Sequence, residues 1–164
     1  MNLRKFLLIA VAVLAAGFLL LQLVPYGRAH ENPPVVAEPN WDSPQTRELA
    51  QRACFDCHSN ETVWPWYASV APVSWLVQHD VDEGRQYLNF SEWGTNGEGE
   101  EAGELYEVIL EGEMPMSNYL ITHPEARLTD GEMAALAEGL VTTAGGSPSA
   151  VGGEREHEGE GDDD

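Results

Sequence analysis

Basic side chains are scarce in this sequence. Its 164 residues include 8 lysines and arginines against 28 aspartates and glutamates, which gives a net charge of −20. A surface of that charge repels nucleic acid, and the basic residues that nucleic-acid-binding domains cluster on one face are missing. We therefore predict no binding to nucleic acid, and we expect partner proteins to be basic.

Several other features are absent. No run of residues shows the two-residue alternation of a half-buried strand, and no repeat recurs at solenoid spacing. No nucleophile and base occur at the spacings of familiar hydrolases. The chain has only 2 cysteines, too few for a disulfide-rich scaffold. The sequence therefore predicts a mostly α-helical protein that is not an enzyme and has no organic substrate.

One long apolar run is present near the N-terminus. It extends from Phe6 to Val24, follows Arg4 and Lys5, and contains Gln22 as its only strongly polar residue. This length suffices to span a bilayer, and no small-x-small cleavage site follows it, so an uncleaved anchor over residues 1–24 is favoured over a signal peptide. The positive-inside rule then places everything after Val24 outside the cytoplasm.

Composition divides the rest of the chain into three parts. Residues 25–42 are proline-rich and predict a stiff spacer that holds the following domain away from the membrane. Residues 43–143 form one small globular domain. Residues 144–164 predict a disordered acidic tail. Such a tail either solvates the domain or contacts a basic partner, and in the second case docking weakens with added salt.

Within the domain, local signals predict four helices and one loop. Proline after Ser43 predicts a helix from about Pro44 to Phe55, and apolar periodicity predicts helices over Pro72–Leu88 and Gly103–Leu110. Thr129 and Glu132 have the spacing of a capping box at the start of another helix. Prolines and aromatic residues between positions 60 and 71 predict an irregular, buried loop. So few short helices bury little apolar surface, so we expect a cofactor to stabilise the fold.

Cys54, Cys57 and His58 form a C-x-x-C-H arrangement. In this pattern two thiols bond covalently to the vinyl groups of haem, and the adjacent histidine binds the iron. A redox-active cysteine pair would need βαβ surroundings, and a zinc site would need more ligands than the chain offers. A structural disulfide is the remaining alternative. The motif therefore predicts one covalently attached haem c.

Further motifs extend the similarity well beyond this pentapeptide. They are Cys57-His58-Ser59-Asn60, Trp64-Pro65-Trp66-Tyr67, Pro72-Val73-Ser74-Trp75-Leu76-Val77, Leu88-Asn89-Phe90-Ser91 and Met114-Pro115, with Tyr119 and His123. In this order they resemble the bacterial haem-binding-domain family related to cytochrome c, over about Asn40 to Val141. The resemblance implies a small, all-α, cytochrome c-like domain around one haem. An acidic segment over 97–104 looks longer than the family requires.

The sixth iron ligand has four candidates. Met114 precedes a proline well downstream of His58, as in many single-haem cytochromes, and Met116 is its near rival. Methionine ligation raises the reduction potential relative to a second histidine. His79 or His123 would instead give bis-histidine ligation with a lower potential. We assign the iron ligands to His58 and Met114.

Other residues are candidates for contact with the haem. Arg85 is one of few cations and could pair with a propionate, and His123 could bond to a propionate or to a loop carbonyl. Pro65 or Pro72 could supply the carbonyl that orients the His58 ring. Four aromatic side chains could wall the haem or simply fill the core: Trp64, Trp66, Tyr67 and Trp75.

These expectations combine into a first functional hypothesis. The chain is a single-pass protein of the bacterial cytoplasmic membrane, and its haem domain carries single electrons on the periplasmic or extracytoplasmic side between redox partner proteins. The alternative is a haem sensor of small ligands, or a peroxidase-like protein, in which the sixth position of the iron is weakly bound or open.

Overall fold

The computed structural model describes residues 2–94 and 102–148, and in these residues the chain is α-helical with no β-strand. The all-α prediction is confirmed. The helices are α1 Leu3–Leu21, α2 Pro44–Ala53, α3 Phe55–His58, α4 Val73–Tyr87, α5 Ala102–Leu110, α6 Tyr119–Thr122 and α7 Asp130–Thr143, with 3₁₀ turns at Trp66–Ser69 and Pro124–Ala126. The predicted acidic tail beyond residue 148 and most of the acidic segment over 97–104 lie outside the described residues.

Helix α1 stands apart from the rest in composition and burial. Its 19 residues have a mean hydropathy of 2.2, and none of its side chains is buried. It is long and apolar enough to cross a membrane.

The helix boundaries follow the capping signals. The Ser43 side chain accepts a hydrogen bond from the Thr46 amide at the start of α2. At the start of α7 the Thr129 and Glu132 side chains form the predicted capping box. The helix predicted to reach Phe55 ends earlier, at Ala53, because Cys54 adopts φ −126° and ψ −31°, and a separate short helix, α3, begins at Phe55.

The core lies between α2, α5 and α7. It is built from leucine and alanine side chains of these helices around a group of aromatic rings. Phe90 lies at the centre of this group, with ring centroids 5.2 Å from Trp41, 5.5 Å from Phe55 and 6.0 Å from Trp93. The aromatic core therefore forms around α3 and the segment after α4.

The loop predicted to be buried between positions 60 and 71 is buried only in part. The Trp66 side chain is 81% exposed and Val63 is 75% exposed, although Ala68 is fully buried. The prediction from composition failed at these positions, because aromatic side chains usually lie inside a protein but a loop can expose them to solvent. The prediction of a buried loop is wrong for these side chains.

Residues 22–37, here called the strap, lie against the domain. The Val36 and Ala37 amides donate to the Ser91 carbonyl at 2.8 and 3.1 Å, and Asn32 Nδ2 donates to the Thr62 carbonyl at 2.9 Å. The segment is therefore attached to the domain surface, whereas its role as a spacer that holds the domain away from the membrane stays a prediction. The prolines keep this segment extended, but its hydrogen bonds attach it to the domain surface.

Candidate haem site

A cavity of about 440 Å³ lies between α3, α4, α5 and the loop that leads to α6. Its walls are largely apolar, and apolar side chains come from α2, the segment after α4, α5 and α7: Ala53, Leu88, Phe90, Leu105, Val108, Ile109 and Leu140. Cavities of this size and character bind cofactors and other small molecules.

Cys54, Cys57 and His58 all line this cavity. The amides of Cys57 and His58 donate to the Cys54 carbonyl at 3.1 and 2.9 Å, which places the three side chains around one helical turn. Both thiols are free. Burial raises the pKa of Cys54 to about 12, and burial with the nearby Asp80 carboxylate raises the pKa of Cys57 to about 12. Reactive cysteines of redox enzymes have lowered pKa values, so this pair lacks their character.

The His58 ring is oriented by the Leu88 carbonyl, 3.1 Å from Nδ1. A carbonyl can only accept, so Nδ1 carries the proton and Nε2 keeps a free lone pair, which is the tautomer of a metal-binding histidine. Burial lowers the pKa of His58, which keeps the ring neutral. The prediction that Pro65 or Pro72 supplies the carbonyl that accepts from His58 is therefore wrong.

A buried polar network holds the Leu88 segment beside the motif. The Phe90 amide donates to the His58 carbonyl at 2.8 Å, and Asn89 Nδ2 donates to Asn60 Oδ1 at 3.0 Å. The Asn60 amide in turn donates to Ser91 Oγ at 2.9 Å. Sequence reasoning missed these supporting residues, although the motifs that carry the family resemblance contain all of them.

Gly84 allows α4 to pack directly against the motif helix. A Cβ at this position would lie 2.6 Å from the Cys57 carbonyl oxygen and 3.0 Å from the Cys57 Cβ. Any larger residue would push the two helices apart. Glycine ordinarily weakens a helix interior, but at this position it permits the close approach of α4 to α3.

Met114 and Met116 both line the cavity. The amides of Glu113 and Met114 donate to the Val108 carbonyl at 3.0 and 3.1 Å, which fixes the loop to the end of α5. The choice between the two sulfur atoms stays a prediction in favour of Met114. The two histidines proposed as alternatives are not among the lining residues, and His79 Nε2 lies 3.4 Å from the Glu83 Oε2 at the surface.

The other predicted haem contacts lie outside the cavity lining. Trp64 stacks on His30 at 4.8 Å, and Trp66 packs edge-on against Tyr67 at 5.9 Å. The Tyr67 hydroxyl bonds to Thr122 Oγ1 at 3.1 Å. For these aromatic residues the predicted role as walls of the haem stays a prediction, and the structure gives each of them a different neighbour.

Arg85, Trp75 and His123 are also placed beside the cavity lining and not within it. Arg85 Nε donates to the Ser59 carbonyl at 2.8 Å, and its other nitrogens donate to Glu31, Asn32 and Thr62. Trp75 is half-buried, and its Nε1 has no hydrogen-bond partner in the described part of the chain. His123 Nδ1 lies 3.1 Å from the Tyr119 carbonyl of α6, and its bond to a propionate or to a loop carbonyl stays a prediction.

Tyr119 links both sides of the cavity that it lines. Its hydroxyl donates to Asp56 Oδ2 at 2.8 Å, and its ring stacks on His123 at 4.0 Å between centroids. Burial and the Asp56 carboxylate raise the pKa of Tyr119, so the phenol stays protonated and acts as a donor. This bond joins the C-x-x-C-H helix to the segment after the methionines.

Carboxylates also line the cavity, and the described lining contains no lysine or arginine. The acidic residues are Asp56, Asp80, Glu83, Glu104 and Glu113. Burial raises the pKa of Asp80. A positive charge placed in this cavity would therefore be stabilised.

The donor set fits a haem. Two thiols, an imidazole with a free Nε2 and two thioethers face one apolar cavity, which matches the attachment and ligation of haem c. In residues 2–94 and 102–148, no group of three or more His, Cys, Asp or Glu side chains could hold a metal ion alone. The residues present therefore match an iron held in a porphyrin better than a bare metal ion.

Comparison with known proteins gives one match. A family model described as a haem-binding domain matches residues 16–142. The match begins inside α1 and includes the strap, earlier than the start near Asn40 that the motifs indicated. No curated protein and no solved structure is significantly similar to the chain. The match covers most of the sequence, and the chain belongs to the haem-binding domain family.

Proposed function

We propose that this protein is a membrane-anchored c-type cytochrome that carries single electrons. The observation that carries the proposal is the placement of Cys54, Cys57, His58 and Met114 around one cavity in a chain of the haem-binding family. When bound, haem supplies an iron that changes reversibly between ferric and ferrous. No substrate and no enzymatic step are part of the proposal.

Each residue of the site has a defined part. The thiols of Cys54 and Cys57 would hold the haem through thioether bonds to its two vinyl groups, and the His58 Nε2 would bind the iron. The Leu88 carbonyl fixes the His58 ring, and the Met114 sulfur would supply the second protein ligand of the iron.

Helix α1 provides the membrane anchor in this proposal. Its length and hydropathy, with Arg4 and Lys5 before it, support a single span with the haem domain on the extracytoplasmic side. Electron donors and acceptors would then be redox proteins of that compartment or of the membrane.

Visible spectra of the full chain, expressed with a haem-attachment system, test the proposal. We expect sharp low-spin bands in the reduced protein that carbon monoxide does not alter, and haem that stays with the denatured polypeptide in acidified acetone. A colourless protein would refute the haem assignment, and extractable haem would refute covalent attachment. A high-spin spectrum that shifts with carbon monoxide would favour the ligand sensor or peroxidase-like protein.

A further inference from the structure

The first residue of the strap, Gln22, is hydrogen-bonded to the haem domain. Gln22 Nε2 donates to the Ala71 carbonyl at 2.8 Å, and the Ala71 amide donates to Gln22 Oε1 at 3.0 Å. Arg28 donates to the Gln22 backbone carbonyl at 2.7 Å and to Oε1 at 2.8 Å. The side-chain amide of Gln22 thus forms two hydrogen bonds with the backbone of Ala71, as the backbone of a neighbouring strand would.

The chain after Gln22 continues along α4. Gly27, at φ +76°, approaches so closely that a Cβ would overlap the Ser74 carbonyl. The Tyr26 hydroxyl donates to Asp82 Oδ2 at 3.3 Å. The end of α1 is therefore attached to the domain at several points, and the family match, which begins at residue 16, includes all of them.

The length of α1 sets the depth of this attachment. Its 19 residues rise about 28 Å at 1.5 Å per residue, close to the hydrocarbon thickness of about 30 Å. If α1 spans the bilayer, Gln22 lies where hydrocarbon meets the headgroups. Ala71, one hydrogen bond away, then lies at nearly the same depth.

Large apolar side chains are exposed around Ala71. The corner formed by the 3₁₀ turn Trp66–Ser69 and the first turns of α4, here called the corner, includes Trp66, Val73 and Leu76, which are 81%, 41% and 53% exposed. Leu23, in the strap, is 76% exposed. Tryptophan is favoured at the membrane–water interface, and insertion of aliphatic side chains there removes apolar surface from water.

We propose that the haem domain docks on the lipid surface of the bilayer that α1 spans, with the corner in the headgroup region. The inference rests on the membrane anchor of the proposed function and adds a fixed orientation to it. The cavity is then presented at a defined height above the membrane, so electron exchange favours partners that lie at the same surface.

Photo-crosslinking to lipid tests this docking on the full haem-loaded chain. The protein is placed in nanodiscs of phosphatidylethanolamine and phosphatidylglycerol that contain a phospholipid with a diazirine in its headgroup. After illumination, lipid adducts are mapped by mass spectrometry of peptides. We expect adducts at the end of α1 and on the corner, and only background yield on α7, which packs against α2 and α5 on another part of the domain.

A charged variant with a matched control sharpens the test. The double substitution Val73→Asp and Leu76→Asp changes exposed side chains outside the cavity lining, and it should lower the adduct yield on the corner to that of α7. The control Val36→Asp also charges an exposed apolar residue, 71% exposed, at the far end of the strap. It should leave the adducts on the corner unchanged, and both variants should keep the visible spectrum.

The outcomes separate the docking from the anchor. Adducts on α1 without adducts on the corner would overturn the docking and leave the membrane anchor intact. Adducts on the corner that persist in the Asp double variant would also overturn it. A protein that lacks adducts everywhere and is released by alkaline carbonate would overturn the membrane anchor, and the docking with it.

Discussion

Met114 and Met116 lie on the same side of the candidate site, separated by one proline, and both line the cavity. If Met114 binds the iron, Met114→Ala opens the sixth position. We expect a high-spin component, binding of carbon monoxide and a lower reduction potential. Visible spectra and a redox titration measure these changes. Met116→Ala is the matched control, and the opposite pattern would transfer the ligand role to Met116.

Gly84 is the position where packing against the motif tolerates no side chain. Because a Cβ would lie 2.6 Å from the Cys57 carbonyl, Gly84→Ala should destabilise the protein by about 1–3 kcal/mol through overpacking. Denaturant unfolding of the haem-loaded protein measures this. Gly131→Ala is the control, since a Cβ there meets nothing within 4 Å, and equal stabilities of the two variants would contradict the close approach.

At the residue scale, the sequence predicted site residues that lie close together along the chain and missed a contact between residues that lie far apart. Cys54, Cys57 and His58 lie within five consecutive residues, so local helical geometry suffices to bring their side chains together. The partner of His58 is Leu88, 30 residues away. The packing of α4 against α3 places that carbonyl beside His58, and the local sequence does not predict this contact.

Among the helices, α7 has the best defined start. Its Glu132 carboxylate accepts from the Thr129 amide at 2.8 Å and pairs with Arg52 at 2.5 Å. The hydrogen bond from the Thr129 backbone, followed by that from Arg52, lowers the pKa of Glu132 from 4.5 to about 2. A lowered carboxyl pKa stabilises the folded state above the unfolded pKa, and this contribution is lost as the pH falls through the folded pKa.

This pKa gives a prediction for the pH dependence of stability. Glu132→Gln should lower the free energy of unfolding near neutral pH, and the difference from the unmodified protein should shrink as the pH falls from 4.5 toward 2. Chemical unfolding over this pH range provides the measurement. Glu138→Gln, at an exposed site of the same helix, is the control. A difference that stays constant with pH would exclude this account of the capping box.

The strap shows that a local sequence pattern predicts the conformation of a segment but not its contacts with the rest of the protein. Prolines predict an extended segment, and residues 25–42 contain no helix. Whether an extended segment stays free or attaches depends on acceptors elsewhere, here Thr62, Ala68 and Ser91. Local composition cannot indicate them, because they become neighbours only after the domain has folded.

For the molecule as a whole, the acidic composition extends into the candidate site. Negative charge near the iron stabilises the ferric state, so Glu83→Gln or Glu113→Gln should raise the reduction potential. An interaction of about 1 kcal/mol for each carboxylate corresponds to about 40 mV for a one-electron couple. Redox titration measures the shift, with the remote Glu138→Gln as the control. A fall in potential would contradict this electrostatic role.

The net charge of −20 also bears on encounters with partners. If the acidic tail contributes to docking, electron exchange with a basic redox protein should slow as salt is added, and deletion of residues 154–164 should weaken that dependence. Stopped-flow kinetics at several ionic strengths provide the measurement. If the tail only solvates the domain, the deletion will leave the salt dependence unchanged.

The sequence by itself sufficed to predict the helical class, the apolar N-terminal helix, the capping box and the C-x-x-C-H motif. Each of these features depends on residues that lie within a few positions of one another. Tertiary structure alone decided which side chains line the cavity and that the Leu88 carbonyl orients His58. It also decided that Gly84 allows α4 to pack against α3, and that Gln22 attaches the end of α1 to the domain. Those features depend on contacts between residues far apart in the chain, and such contacts exist only once the helices have packed together.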